Sequence, residues 1–166
     1  MELYWQRITN GSGHNTALSL LEKSCGSPLP PIQKTPRGKP CFVDYPLHFS
    51  ISHTDSHAFC CVHHRNVGID AEQIGRKIDP RLLARYCSES ERLACQSASD
   101  PEDALLRLWV LKESYAKFTG RGLGNYLQST HFSPDDERIQ IIDGCYVAVY
   151  TEERSEQPCS LIPTPM

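Results

Sequence analysis

The sequence contains no apolar run that approaches the roughly 18 residues of a membrane-spanning helix, which argues against a transmembrane protein. Its start, MELYWQRITN, has no apolar stretch behind a basic cluster, so we expect no signal peptide and predict a cytoplasmic location. Positive charge is not in excess, because 17 Lys and Arg stand against 20 Asp and Glu. Proteins held to nucleic acid by their overall field are usually basic, so neither nucleic acid nor a membrane is an expected partner.

CxxC pairs are also absent, although the chain has eight cysteines. Without an export signal, these cysteines are expected to be free thiols in a reducing compartment. The segment CCVHH (60–64), preceded by His53 and His57, offers the ligand types of a zinc site. No second ligand pair follows at the spacing of a zinc finger, so zinc is a minor alternative to small buried cysteines.

The length of 166 residues and the 39% apolar content predict one globular domain. Alternating apolar residues at 47, 49 and 51 predict a strand with one buried face. The five prolines of residues 27–40 predict an extended loop. Further strands are predicted at 58–64 and 67–72, around a two-residue turn, and at 138–142 and 145–150, around Asp143-Gly144. Helices are predicted at 15–25, at 79–87, from Ser88 onward and at 104–118. This mixture without regular βαβ alternation is an α+β pattern.

The strand GIDAE (68–72) carries the first candidate site. Side chains alternate along a strand, so Asp70 and Glu72 share one face while Ile69 and Ala71 share the other. Two neighbouring carboxylates repel each other, and a divalent cation reverses that cost. Mg²⁺ needs only one or two protein carboxylates when substrate phosphates complete its shell. A solvated strand face is the alternative.

Three further segments carry candidate residues. On the helix WVLKESYAK (109–117), Glu113 offers a third carboxylate, and Lys112 and Lys117 offer positive charge for a phosphate. The alternative is a surface ion pair of Glu113 with Lys117 at i, i+4 spacing. Ser52 and His53 lie where a strand runs into a loop and can converge on an anion. In GKP (38–40), a turn presents Lys39 as a point charge suited to phosphate.

Four segments, taken together and in this order, resemble the 4′-phosphopantetheinyl transferases, specifically the Sfp-like (surfactin-type) group. They are GKP (38–40), FSISHT (49–54), GIDAE (68–72) and WVLKESYAKFTGRGL (109–123). The resemblance implies an α+β fold of two pseudo-repeated halves with antiparallel strands and the site between them. We expect residues 1–66 to form a shortened first half. Residues 67–166 would form the second half, which carries GIDAE and WVLKESYAK.

The resemblance also implies the reaction. Enzymes of this group move the 4′-phosphopantetheine arm of coenzyme A to a serine of an apo acyl or peptidyl carrier protein, and they release adenosine 3′,5′-bisphosphate. Carrier proteins serve fatty-acid, polyketide or nonribosomal peptide synthesis. The implied roles are Mg²⁺ ligands for Asp70, Glu72 and Glu113; a base for Glu113; a phosphate contact for Lys117; and 3′-phosphate contacts for Lys39, Ser52 and His53.

The chain departs from this group near its start. The group's basic residues there have no clear match, and Lys34 and Arg37 are the available stand-ins. The shortened first half predicts weak coenzyme A binding or a need for self-association. It also leaves open an alternative, a non-catalytic homologue that binds coenzyme A or a carrier protein.

Overall fold

The structure is a computed structural model that describes residues 1–152 and 160–163, and two stacked β-sheets form its centre. The strands are β1 (Glu2–Arg7), β2 (Ile32–Lys34), β3 (Pro40–Phe42), β4 (His48–His53), β5 (His57–His63), β6 (Val67–Gln73), β7 (Ile139–Ile142), β8 (Cys145–Thr151) and β9 (Ser160–Pro163). The helices are α1 (Gly13–Cys25), α2 (Arg81–Tyr86), α3 (Glu89–Ser97) and α4 (Pro101–Thr119), with a 3-10 helix at Asn125–Ser129. One sheet has the strand order β4-β5-β1-β9 and the other β6-β8-β7, while β2 and β3 pair separately. Within the described residues, no helix is long and apolar enough to cross a membrane.

Three apolar layers hold the sheets and helices together. Helix α1 covers one face of the first sheet, where Leu20 lies in the same cluster as Phe49. The opposite face of that sheet packs on the second sheet through residues such as Leu3 and Val147. Helix α4 covers the outer face of the second sheet, with Leu108 in that cluster. The order helix, sheet, sheet, helix confirms the predicted α+β class.

The two sheets repeat one topology. In the first, β1 is followed by α1 and later by the β4–β5 hairpin, and β5 returns to pair antiparallel with β1. In the second, β6 is followed by α4 and the β7–β8 hairpin, and β8 returns to pair antiparallel with β6. The predicted fold of two pseudo-repeated halves is therefore confirmed.

Local sequence signals mark several helix and strand ends. Ser88 and Glu91 form the capping box at the start of α3. Asp100 accepts hydrogen bonds from two amides in the first turn of α4. Gly120 ends α4 with a φ of 64°. Residues 143–144 form the turn between β7 and β8.

Three local predictions were wrong or incomplete. Strands β5 and β6 do not form a hairpin around residues 65–66, because each pairs with other strands in a different sheet. The proline-rich segment is not wholly a loop, since Ile32–Lys34 pairs with Pro40–Phe42. Strand β1 was not predicted, because its first residues lack a clear apolar alternation.

Both faces of β4 are buried, although the sequence predicts only one. The serine face lies against β6, where Ser50 Oγ accepts a hydrogen bond from the Ile69 amide at 3.1 Å. One step further along, Ser52 Oγ accepts a hydrogen bond from the Ala71 amide at 3.2 Å. These hydroxyls satisfy amides at the edge of the second sheet, so polar side chains are stable there without water. They join the two sheets at the seam that carries the candidate site.

Candidate active site

A glycine sets how closely α4 approaches β6. A Cβ atom at Gly68 would lie 2.1 Å from the carbonyl oxygen of Ser114 and 2.2 Å from the amide nitrogen of Phe118. Only a residue without a side chain allows the helix backbone to pack directly on the strand. This contact brings the functional face of α4, with Glu113 and Lys117, over the acidic face of β6.

Asp70 is the centre of the resulting cluster. Its Oδ1 accepts a hydrogen bond from Lys117 Nζ at 2.7 Å and another from Ser52 Oγ at 3.0 Å. Lys117 also donates to Ser52 at 3.1 Å, which closes a triangle of three side chains. Asp70 Oδ2 is buried and accepts no hydrogen bond from any residue that the structure describes. A buried carboxylate oxygen without a donor is costly, so this atom points to a missing cationic or donor group.

The two glutamates near Asp70 are less easily ionised than usual. Burial, and then the negative charge of Asp70, raises the pKa of Glu113 to about 7. Burial also raises the pKa of Glu72, against the opposing effect of a hydrogen bond from Arg76. Ile69 and Ala71 face the core between the sheets, which confirms the predicted alternation along the strand. Because both glutamates are buried and both feel the charge of Asp70, the three carboxylates share one partly dehydrated site.

A cleft of about 670 Å³ opens beside this cluster. Glu113 and Lys117 line one side of it, and the β2–β3 segment contributes Lys34, Arg37 and Lys39 on the other. Basic side chains thus outnumber acidic ones in the cleft, although the chain as a whole is acidic. A local field of this sign attracts an anionic ligand.

The ammonium group of Lys39 already donates hydrogen bonds to other parts of the protein. It donates to the carbonyl oxygens of Val67 and Phe118, each at 3.0 Å, and to Asn66 Oδ1. Burial lowers its pKa to about 8. Lys39 therefore ties the β2–β3 segment to the start of β6 and the end of α4, and a phosphate contact would have to compete with these acceptors.

Ser52 and His53 separate in the structure. Ser52 lies inside the acidic cluster, where it contacts Asp70 and Lys117. His53 is exposed at the end of β4, and a Cβ atom at Gly13 would lie 2.6 Å from its ring. The His53 ring therefore packs against the first residue of α1, and among the described residues it does not belong to the cleft lining.

Lys112 does not face the cleft, contrary to the prediction that it contacts a phosphate. Its side chain is 0% exposed, and its ammonium lies 2.8 Å from Glu91 Oε2. It also donates to the carbonyl oxygens of Leu127 at 2.7 Å and Thr130 at 2.5 Å. On α4 it projects to a different side from Glu113, so sequence adjacency did not predict a shared role. The segment that follows α4 is anchored through this buried pair.

The zinc alternative finds no support in the described residues. Cys60 belongs to the apolar cluster under α1, while Cys61 belongs to the cluster between the sheets. Neighbouring strand residues point to opposite faces, so these thiols cannot share a metal ion. In residues 1–152 and 160–163, no group of three or more His, Cys, Asp or Glu side chains is arranged to hold a metal ion. The three acids at the seam are therefore not a preformed closed cage.

Sequence reasoning missed the ion-pair partners of two predicted site residues. Arg76 lies outside the four motif segments, and its pairing with Glu72 depends on how the chain turns after β6. Glu91 pairs with Lys112, and nothing in the sequence places these two residues together. Both contacts depend on tertiary packing.

Comparison with known proteins identifies similar sequences. The sequence model of the 4′-phosphopantetheinyl transferase superfamily matches residues 66–160, more than half of the chain. The chain is 32% identical over 127 residues to the 4′-phosphopantetheinyl transferase gsp of Aneurinibacillus migulanus, an alignment that covers 75% of this chain and 49% of gsp. It is 32% identical over 122 residues to the 4′-phosphopantetheinyl transferase Sfp of Bacillus subtilis (strain 168), covering 68% and 54%. With HetI of Nostoc sp. it shares 34% over 95 residues, covering 52% and 40%. The chain thus spans about half the length of these relatives.

Proposed function

This chain belongs to the 4′-phosphopantetheinyl transferase superfamily, and we propose that it transfers the 4′-phosphopantetheine arm of coenzyme A to a serine of an apo carrier protein. One observation carries the proposal: the orphaned oxygen of Asp70 lies beside Lys117 at the edge of a cleft with an excess of basic residues. Phosphoryl transfer requires acids for a metal and cations for phosphates, positioned before the reaction. In this proposal, residues 1–66 and 67–166 are the two halves, with β9 of the second half added to the sheet of the first, and the reaction takes place at their seam.

The cleft would bind coenzyme A through its phosphates. Lys34 and Arg37 are exposed on the β2–β3 side, and Lys117, held by Asp70 and Ser52, lines the opposite side. Arg37 suits the terminal phosphate, because a guanidinium can bind two phosphate oxygens at once. We assign Lys34 and Arg37 to the nucleotide end of coenzyme A, ahead of Lys39, which is engaged by other acceptors, and of His53, which lies outside the cleft lining.

The acidic cluster fits a magnesium ion. Asp70, Glu72 and Glu113 would hold it, and the free oxygen of Asp70 is a hard ligand without a competing donor among the described residues. A preformed cage is not required, because Mg²⁺ takes several of its ligands from substrate phosphates and water. When bound, Mg²⁺ supplies charge stabilisation to the phosphate oxygens.

The chain's own residues would perform the proton and charge transfers. Glu113 accepts the proton of the carrier serine as the serine oxygen attacks the phosphorus that bears the pantetheine arm. The bond from that phosphorus to the bridging oxygen breaks, and adenosine 3′,5′-bisphosphate leaves. Lys117, held by Asp70 and Ser52 at 2.7 and 3.1 Å, offers its ammonium to the negative charge that develops on the leaving phosphate.

The carrier protein and the compartment are part of the same proposal. The partner is an acyl or peptidyl carrier of fatty-acid, polyketide or nonribosomal peptide synthesis. We propose the cytoplasm as the location, which is compatible with the free thiols at positions 25, 41, 60, 61, 87, 95 and 145. Cys159 lies outside the described residues.

Intact-mass spectrometry of apo carrier proteins tests the activity. Each carrier is incubated with the full chain, coenzyme A and Mg²⁺, and a gain of roughly 340 Da on a serine hydroxyl is expected. EDTA and Asp70→Asn should abolish the gain, whereas Asp135→Asn, at a carboxylate that is 95% exposed, should preserve it. Coenzyme A binding without transfer on any carrier would favour the non-catalytic homologue instead.

A further inference from the structure

Arg76 occupies part of the acidic cluster. It follows β6 after a tight turn, in which its amide donates to the Gln73 carbonyl at 3.0 Å and Gly75 has a φ of 86°. This left-handed residue turns the chain back on itself. The guanidinium of Arg76 consequently returns along the strand and donates to Glu72 Oε2.

The charge of Arg76 acts on both glutamates of the cluster. It opposes the rise in the pKa of Glu72 and of Glu113, and Asp70 in turn raises the pKa of Arg76. With Lys117 on Asp70, the metal-free cluster holds three carboxyl groups and two cations. An arginine keeps its charge over the whole physiological pH range, so it screens the acids permanently.

The two partners of this ion pair differ in exposure. The Glu72 side chain is 9% exposed, whereas the Arg76 side chain is 54% exposed. The guanidinium is already largely hydrated, so Arg76 itself loses little on moving into water, whereas the buried Glu72 carboxylate needs a cation in its place. The buried partner, Glu72, would then be free to meet another cation.

We infer that Arg76 is a tethered counter-cation that competes with the divalent cation for Glu72 and withdraws into solvent when that cation binds. The inference rests on the metal ligands assigned in the proposed function. Two cations at one carboxylate repel each other, so the metal and Arg76 cannot both hold Glu72 at full strength. Arg76 therefore lowers the affinity of the empty site and stabilises its acids until substrate and metal arrive.

Binding of Mn²⁺, a probe with a measurable paramagnetic signal, tests this inference without relying on activity. The full chain is titrated with Mn²⁺ in the absence of coenzyme A, and free Mn²⁺ is followed by electron paramagnetic resonance. Arg76→Gln should bind Mn²⁺ about three- to tenfold more tightly than the wild type. Arg76→Lys keeps the charge and should remain close to the wild type.

Two controls separate a local from a general charge effect. Arg81→Gln makes the same change in net charge at a side chain that is 90% exposed and paired with Asp79, and it should change the affinity by less than about twofold. In a Glu72→Gln background, the direct competition is absent, so Arg76→Gln should give a clearly smaller gain. Equal or weaker Mn²⁺ binding by Arg76→Gln overturns the role of Arg76 and leaves the metal ligands intact. Failure of every variant to bind Mn²⁺ overturns the metal assignment and the inference together, whereas the carrier-modification assay tests the transfer separately.

Discussion

Gly68 on β6 faces the backbone of Ser114 on α4 so closely that a methyl group there would lie 2.1 Å from the Ser114 carbonyl oxygen. Backbone atoms in a helix cannot give way as a flexible side chain can. We expect Gly68→Ala to push α4 off the strand, to lower the free energy of unfolding by about 3 kcal/mol, and to separate Lys117 from Asp70. Urea denaturation measures the first effect.

Gly124→Ala is the matched control for this substitution. Gly124 has an extended backbone with φ of −160°, and a Cβ atom there would meet only the ring of Tyr126 at 3.2 Å. A side chain can shift by the few tenths of an ångström required, so a loss of less than about 1 kcal/mol is expected. Equal losses for the two variants would contradict the close-approach argument.

Lys112 is expected to stabilise the fold and to leave coenzyme A binding unaffected. Lys112→Met leaves Glu91 buried without its cation and should lower the free energy of unfolding by about 3–5 kcal/mol. Adding Glu91→Gln should recover part of that loss, since the amide carries no charge. Both values come from chemical denaturation.

Coenzyme A affinity distinguishes this role from a phosphate contact. At low temperature, where Lys112→Met is still folded, calorimetry should give a dissociation constant within about twofold of the wild type. Lys117→Met, at a lysine that lines the cleft, should weaken binding. A large loss of affinity in folded Lys112→Met would restore the phosphate role.

Glu113 makes the metal-free protein less stable at higher pH. Its pKa rises from the ordinary 4.5 to about 7 on folding, so between these values the folded state holds a proton that the unfolded chain has lost. Stability therefore falls as pH rises through this window. In EDTA, Glu113→Gln should gain on the order of 2–3 kcal/mol over the wild type at pH 8 and almost nothing near pH 4. A gain that does not vary with pH would contradict this assignment.

Asp143 changes the pH dependence of stability in the opposite direction to Glu113. Hydrogen bonds from Arg7 and then His57 hold the pKa of Asp143 well below its usual range. Its contribution to stability is present above the ordinary pKa of 3.8 and is lost as pH falls below that value. Asp143→Asn should therefore be less stable than the wild type at pH 7, and it should lose less stability between pH 5 and pH 2. Thermal unfolding at several pH values measures both. The control is Asp135→Asn, at a carboxylate that is 95% exposed and whose distance to Arg107 is 3.9 Å.

The sequence predicted most of the helices and the acidic face of β6, because those signals are local. Alternation along GIDAE places Asp70 and Glu72 together whatever the rest of the chain does. Capping residues such as Ser88 and Asp100 mark helix starts through contacts within four residues. Lys34 and Arg37, named from the sequence as stand-ins for the group's basic residues, do line the cleft and contribute to its positive charge.

The remaining features depend on contacts between distant segments. Lys112 and Lys117 lie on the same helix, and the local sequence does not distinguish them. Tertiary packing does, because Lys112 is buried against Glu91 whereas Lys117 meets Asp70 at the cleft. Lys39 similarly meets acceptors from two other elements. The partner of β5 was mispredicted because strand pairing over long separations leaves no trace in local composition.

The two serines of β4 have a further consequence. Strands β4 and β6 are the edges of their sheets, and an open edge invites pairing with another chain. With Ser50 on the Ile69 amide and Ser52 on the Ala71 amide, each edge covers the other. During synthesis β4 emerges before β6, so the first sheet has an unprotected, aggregation-prone edge until the strand that carries the acidic residues has followed it.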